Sequence, residues 1–107
     1  MTISEVNVDE LEVALGSGGR LVDVREVDEY QAGHVRGAEL IPLATVPAAL
    51  GRFVTDAPNY VICRSGARSM RACEFLSEQG LDAVNVGGGT LAWVASGRDV
   101  VPGDQPA

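Results

Sequence analysis

Short apolar runs recur along the chain, separated by stretches whose apolar positions fall three or four residues apart. The runs cover residues 3–6, 21–24, 38–41, 60–63 and 83–86. They are rich in valine and isoleucine and are bounded by Gly, Pro, Asn or Asp, which predicts five strands. The intervening stretches predict helices. Asn7 and Glu10 have the spacing of a capping box, so a helix should run through Leu11 and Leu15 and stop in the glycines at 16–19. A short helix is predicted over 27–31, ended by Gly33, with a loop at 34–37. Another is predicted over 46–53, with Pro47 in its first turn. After the strand at 60–63 a longer helix should extend from about Gly66 to Gln79, with Met70, Cys73 and Leu76 on one apolar stripe, and Gly80 should stop it. A last helix over 91–95 carries the only tryptophan, Trp93.

Strands that alternate with helices, and that are apolar on both sides, predict an α/β domain. Its core would be a central, mostly parallel five-stranded sheet with helices on both faces. Residues 1–100 should form this one domain, and 101–107 a flexible C-terminal tail. In such folds ligands gather beyond the carboxyl ends of the strands. Arg25, Cys63 and Gly87 all lie at such ends, so they are expected to approach one another in space.

Composition narrows the function. At 107 residues the chain is the size of a single domain, and an apolar content of 46% excludes wholesale disorder. A net charge of −7 argues against nucleic acid as a partner. No apolar run approaches membrane-spanning length, and the first residues lack a basic region followed by an apolar one, so a cytoplasmic protein is expected. There the two cysteines are expected as thiols. With one histidine and two cysteines a structural zinc site is not expected. Gly87, Gly88 and Gly89 lack the pattern of a phosphate-binding loop.

The chemistry concentrates in Cys63-Arg64-Ser65-Gly66-Ala67-Arg68-Ser69. A cysteine at the end of a strand, followed by a small-residue loop into a helix start, faces unpaired N–H groups and the positive end of the helix dipole. That field favours the thiolate and an anion beside it. All eight basic residues are arginines, and Arg64, Arg68 and Arg71 fall where no Asp or Glu intervenes. Arginine suits forked recognition of oxyanions. Cys73 on the apolar stripe reads as a buried small hydrophobe, and His34 as a structural residue. Asp23 and Arg25 are expected to form a polar network at the edge of the site, with Arg25 facing the active loop and Asp23 holding backbone or Arg36.

Four strings in order, Asp23-Val24-Arg25-Glu26, Gly33-His34-Val35-Arg36-Gly37-Ala38, the Cys63–Ser69 loop and the Gly87–Gly89 run before Trp93, resemble the rhodanese (thiosulfate sulfurtransferase) family in its single-domain form. The resemblance implies a sulfur relay without metal or cofactor. Cys63 would attack the outer sulfur of a small anionic donor such as thiosulfate, carry it as a persulfide, and yield it to a thiol or cyanide. Arg64, Ser65, Gly66, Ala67 and Arg68 would bind the substrate, their N–H groups forming a nest around the sulfur, with Arg25 nearby. An alternative is a rhodanese-fold sulfur carrier or interaction module serving one sulfur-accepting protein. Related cysteine phosphatases place an arginine six residues after the cysteine. Here that residue is Ser69 and the arginine comes one earlier, so phosphatase chemistry is the weaker reading.

Overall fold

A computed structural model describes residues 2–107. Its elements are β1 (Ser4–Val6), α1 (Val8–Gly16), β2 (Arg20–Asp23), α2 (Val27–Ala32), β3 (Glu39–Leu40), a 3-10 segment (Leu43–Phe53), β4 (Asn59–Ile62), α3 (Ala67–Glu78), β5 (Ala83–Val86) and α4 (Gly89–Ala95). The five strands form one sheet in the order β1-β5-β4-β2-β3, and every pair is parallel.

Alternation along the strands divides the core into two layers. Val22, Val61, Cys63 and, from the covering elements, Val46, Phe53, Cys73 and Leu76 pack together on one face. Leu21, Ile62 and Val86 point the other way, against Val8 and Leu11 of α1 and Trp93 of α4. A strand buried on both faces can be apolar throughout, which is why these runs are short and nearly continuous. The capping box forms as its sequence requires. Asn7 Oδ1 accepts the Glu10 N–H at 2.8 Å, and Glu10 Oε1 accepts the Asn7 N–H at 3.0 Å.

Two expectations change. The strand over 38–41 shrinks to two residues, because the Ala38 carbonyl is taken by the Tyr30 hydroxyl instead of a ladder partner. The helix over 46–53 is a 3-10 segment that begins at Leu43 and bends at Ala49, where φ is −114°. Pro47 lacks the N–H that a regular α-helical ladder would use there. Residues 101–107 make hydrogen bonds back to the body of the domain. His34 and Val101 exchange backbone hydrogen bonds, the Gly103 N–H donates to Gln31 O, and the Gly37 N–H donates to Pro106 O. The buried His34 ring stacks on Tyr30 with centroids 3.7 Å apart, and its Nε2 lies 2.8 Å from Gln105 O. His34 thus serves as a clasp for this segment. Among the described residues no helix is long and apolar enough to cross a membrane.

Candidate active site

Strand order sets the position of the site. β4 lies in the middle of the sheet, with β2 on one side and β5 on the other. The residues that follow these three strands therefore meet at one edge. Cys63 follows β4, and the N–H groups of Thr90 and Leu91 donate to the Cys63 and Arg64 carbonyls at 2.9 and 3.0 Å. The Thr90 hydroxyl adds a 3.0 Å bond to the Cys63 carbonyl. The contact leaves no room for a side chain at Gly89, since a Cβ there would stand 2.6 Å from both carbonyl oxygens.

From Cys63 the chain turns through a tight loop into α3. Gly66 makes the turn with φ of +111°, a left-handed conformation that L side chains rarely adopt. Its N–H then points inward and donates to Cys63 Sγ at 3.1 Å. Ser69, one turn into the helix, places its Oγ 3.3 Å from the same sulfur and 3.2 Å from Gly66 O. The hydroxyl has one proton for two acceptors, and a thiolate is the stronger acceptor. Asn85 of β5 supports the loop from below. Its Nδ2 reaches Gly66 O at 3.4 Å and donates to Glu5 Oε2 at 2.8 Å. Its buried Oδ1 has no hydrogen-bond partner among the described residues.

The ionisation of Cys63 follows from these contacts. Burial is the largest influence and pushes the thiol up. The Ser69 hydroxyl and the backbone groups of Ser69, Gly66 and Ser65 act together against it, and the net effect holds the thiol below its ordinary value. Cys63 is 1% exposed. A reacting molecule must therefore reach the sulfur end-on, through the ring of loop groups, with a narrow terminal atom.

The three arginines differ in their partners. Arg68 does not stand open to an anion. Its two terminal nitrogens fork onto Glu29 at 2.7 and 2.9 Å. Arg25 is committed as well, through Asp23 at 2.9–3.1 Å and Gly33 O at 2.8 Å. Asp23 also accepts the Arg25 backbone N–H at 3.0 Å; this meets the expectation that it holds backbone, and leaves Arg36 out. Arg64 is exposed and, among the described residues, its side chain makes no hydrogen bond or ion pair. Ser65 and Ala67 are exposed, and Ala67 begins α3. Cys73 is wholly buried in the layer under the loop, and burial raises its thiol to about 12, out of nucleophilic range.

Residues 7–96 match the rhodanese-like domain family. This chain belongs to that family. The chain is 37% identical over 82 residues to a sulfurtransferase of Allochromatium vinosum, a match that covers 76% of this chain and 77% of the relative. It is 34% identical over 77 residues to a thiosulfate sulfurtransferase of Pseudoalteromonas translucida, covering 71% and 73%. The crystal structure of a rhodanese-like domain protein from Staphylococcus aureus superposes with a TM-score of 0.80 at 38% identity, covering 85% of this chain and 91% of that one.

Four residues that support the cysteine loop lie outside the expectations drawn from the sequence. Ser69 reaches the sulfur from the first turn of α3, six residues after the cysteine. Glu29 gave a weak signal as an acidic residue on a short helix. Thr90 and Asn85 gave none, because only the pairing of β4 with β5 brings them under the loop.

Proposed function

We propose that this rhodanese is a sulfurtransferase that carries sulfane sulfur as a persulfide on Cys63. The observation that supports it most is the pair of donors, Gly66 N–H at 3.1 Å and Ser69 Oγ at 3.3 Å, converging on one sulfur at the end of the central strand. In the first step the Cys63 thiolate attacks the outer sulfur of a small anionic donor such as thiosulfate. A new S–S bond forms, the donor's S–S bond breaks, and the electron pair leaves with sulfite. In the second step a thiolate or cyanide attacks the outer sulfur of the persulfide. That sulfur departs on the acceptor, and the electron pair returns to Cys63 Sγ. The loop N–H groups of residues 64–68 stabilise negative charge on sulfur in both resting forms. Arg64 is the open cation at the mouth and meets the donor's charge. Arg68 and Arg25 act by position, fixing α2 and the end of β2 around the loop.

The test is mass measurement after incubation with thiosulfate. A gain of one sulfur atom on Cys63, removed by cyanide, is the expected result, and Cys63→Ser should gain nothing and lose thiosulfate:cyanide turnover. Turnover retained by Cys63→Ser would reject the reading.

A further inference from the structure

Beside the cysteine loop lies a cavity of about 450 Å³, within the range of small-molecule sites. Thiosulfate would fill a minor part of it. Three elements build it. Helix α4 contributes Leu91, Val94 and Ala95, α2 contributes Ala32 and Glu29, and Val100 closes it from the segment clasped by His34. Val100 packs so near α2 that a Cβ on Gly33 would stand 2.9 Å from its Cγ2. The cavity shares a wall with the loop through Arg64 and Thr90, the latter bonded to the Cys63 carbonyl.

Two features of the lining specify a ligand. The first is apolar. Leu91 and Val94 remain 47% and 50% exposed, and both face the cavity. The second is charge. Of the charged groups in the wall, Glu29 is paired with Arg68, and Arg25 with Asp23. Arg64 alone is unpaired among the described residues, so the cavity offers one positive charge beside an apolar surface.

We propose that this cavity selects the sulfur acceptor, and that the acceptor is a thiol with a short aliphatic body and a single negative charge, an ω-mercapto carboxylate in chemical class. The proposal rests on the persulfide reading above. The aliphatic chain lies on Leu91 and Val94, and the carboxylate meets Arg64. The acceptor's thiol loses its proton to solvent, and its sulfur attacks the outer sulfur of the Cys63 persulfide. The new S–S bond leaves a persulfide on the acceptor, and the electron pair of the broken bond stays on Cys63.

The test separates loading from unloading. Cys63 is first charged with thiosulfate. The second-order rate of sulfur loss is then followed by mass with 2-mercaptoethanol, 6-mercaptohexanol and 6-mercaptohexanoate, each corrected for its thiolate fraction. The expected order is hexanoate, then hexanol, then mercaptoethanol, with about tenfold between the extremes. Leu91→Ser with Val94→Ser should abolish the advantage of the longer chain. Arg64 also meets the donor, so Arg64→Gln should load more slowly; once it is charged to the same persulfide occupancy, checked by mass, it should lose the advantage of the carboxylate and keep that of the longer chain. Normal loading followed by equal rates for the three thiols, or by an order that ignores these substitutions, overturns the acceptor proposal and leaves sulfur transfer standing. Absence of any sulfur on Cys63 overturns both.

Discussion

Cys63 and Cys73 pack in the same apolar layer and are equally shut away, at 1% and 0% exposure. Their chemistry is opposite. Burial raises both thiols, and at Cys73 nothing answers it, so that thiol rises to about 12. At Cys63 the groups of Ser69, Gly66 and Ser65 outweigh the same penalty. Reactivity at this site is therefore a matter of donors within about 3 Å and not of access to water. Charge plays the lesser part. Arg68 feels an attraction to Cys63, but its hydrogen bonds go to Glu29.

The contrast can be broken most severely at Gly89. A methyl group there meets the Cys63 and Arg64 carbonyls at 2.6 Å, and Gly89 itself sits at φ +58°. Gly89→Ala should displace the loop backbone, cost about 2–4 kcal/mol in denaturant unfolding, and lower sulfur transfer by at least roughly a hundredfold. A variant with native stability and native turnover would show that the loop does not depend on this contact.

Ser69→Ala is a gentler cut, since it removes one donor and leaves the backbone ring. Cys63 should then move toward Cys73 in behaviour. The midpoint of its alkylation against pH should rise, and sulfur transfer should fall roughly tenfold at neutral pH, the range for a hydrogen bond to a charged group. The loss should shrink as pH rises and the thiolate forms anyway. An unmoved midpoint would assign the whole effect to the backbone.

The other member of the pair gives a smaller effect. Cys73→Ala empties a buried sulfur's space under the loop and should cost about 1 kcal/mol of stability. Turnover should stay within about twofold, and native protein should still show one fast-alkylating thiol. Loss of sulfur transfer would make Cys73 a participant.

Most of this contrast is legible in the sequence. The Cys63 loop, its place after a central strand and the inert stripe position of Cys73 follow from local pattern, because strand, turn and helix are encoded within a few residues of one another. The supports were hidden for two physical reasons. Glu29, Thr90 and Asn85 come from elements that only the order β1-β5-β4-β2-β3 makes neighbours. The partners of the arginines were only partly legible, because charge in a string says little about pairing. Arg68 and Arg25 found carboxylates on α2 and β2, and Arg64 did not. The hydrogen bonds of residues 101–107 were hidden likewise, since their partners His34, Gln31 and Gly37 lie far back in the chain.

Glu29 asks how far charge sharpens the contrast, and its effect is the smallest. The Arg68 fork, against burial and with help from the Glu26 N–H, holds the Glu29 carboxyl down from an ordinary 4.5 to about 2. A depressed acid stabilises the fold above its unfolded value, so this contribution is complete above about pH 4.5 and disappears as pH falls toward 2. The side chains are 26% and 33% exposed, so solvent screening limits it to under about 1 kcal/mol. Glu29→Gln should therefore be slightly less stable than the parent at pH 7, and the two unfolding curves should converge between about pH 4.5 and 2. The same substitution leaves the Arg68 charge uncompensated beside the loop, so the alkylation midpoint of Cys63 should fall slightly. A midpoint that stays fixed while the stability difference appears would assign Arg68 wholly to positioning α2 and leave hydrogen bonds as the sole source of the Cys63 thiolate.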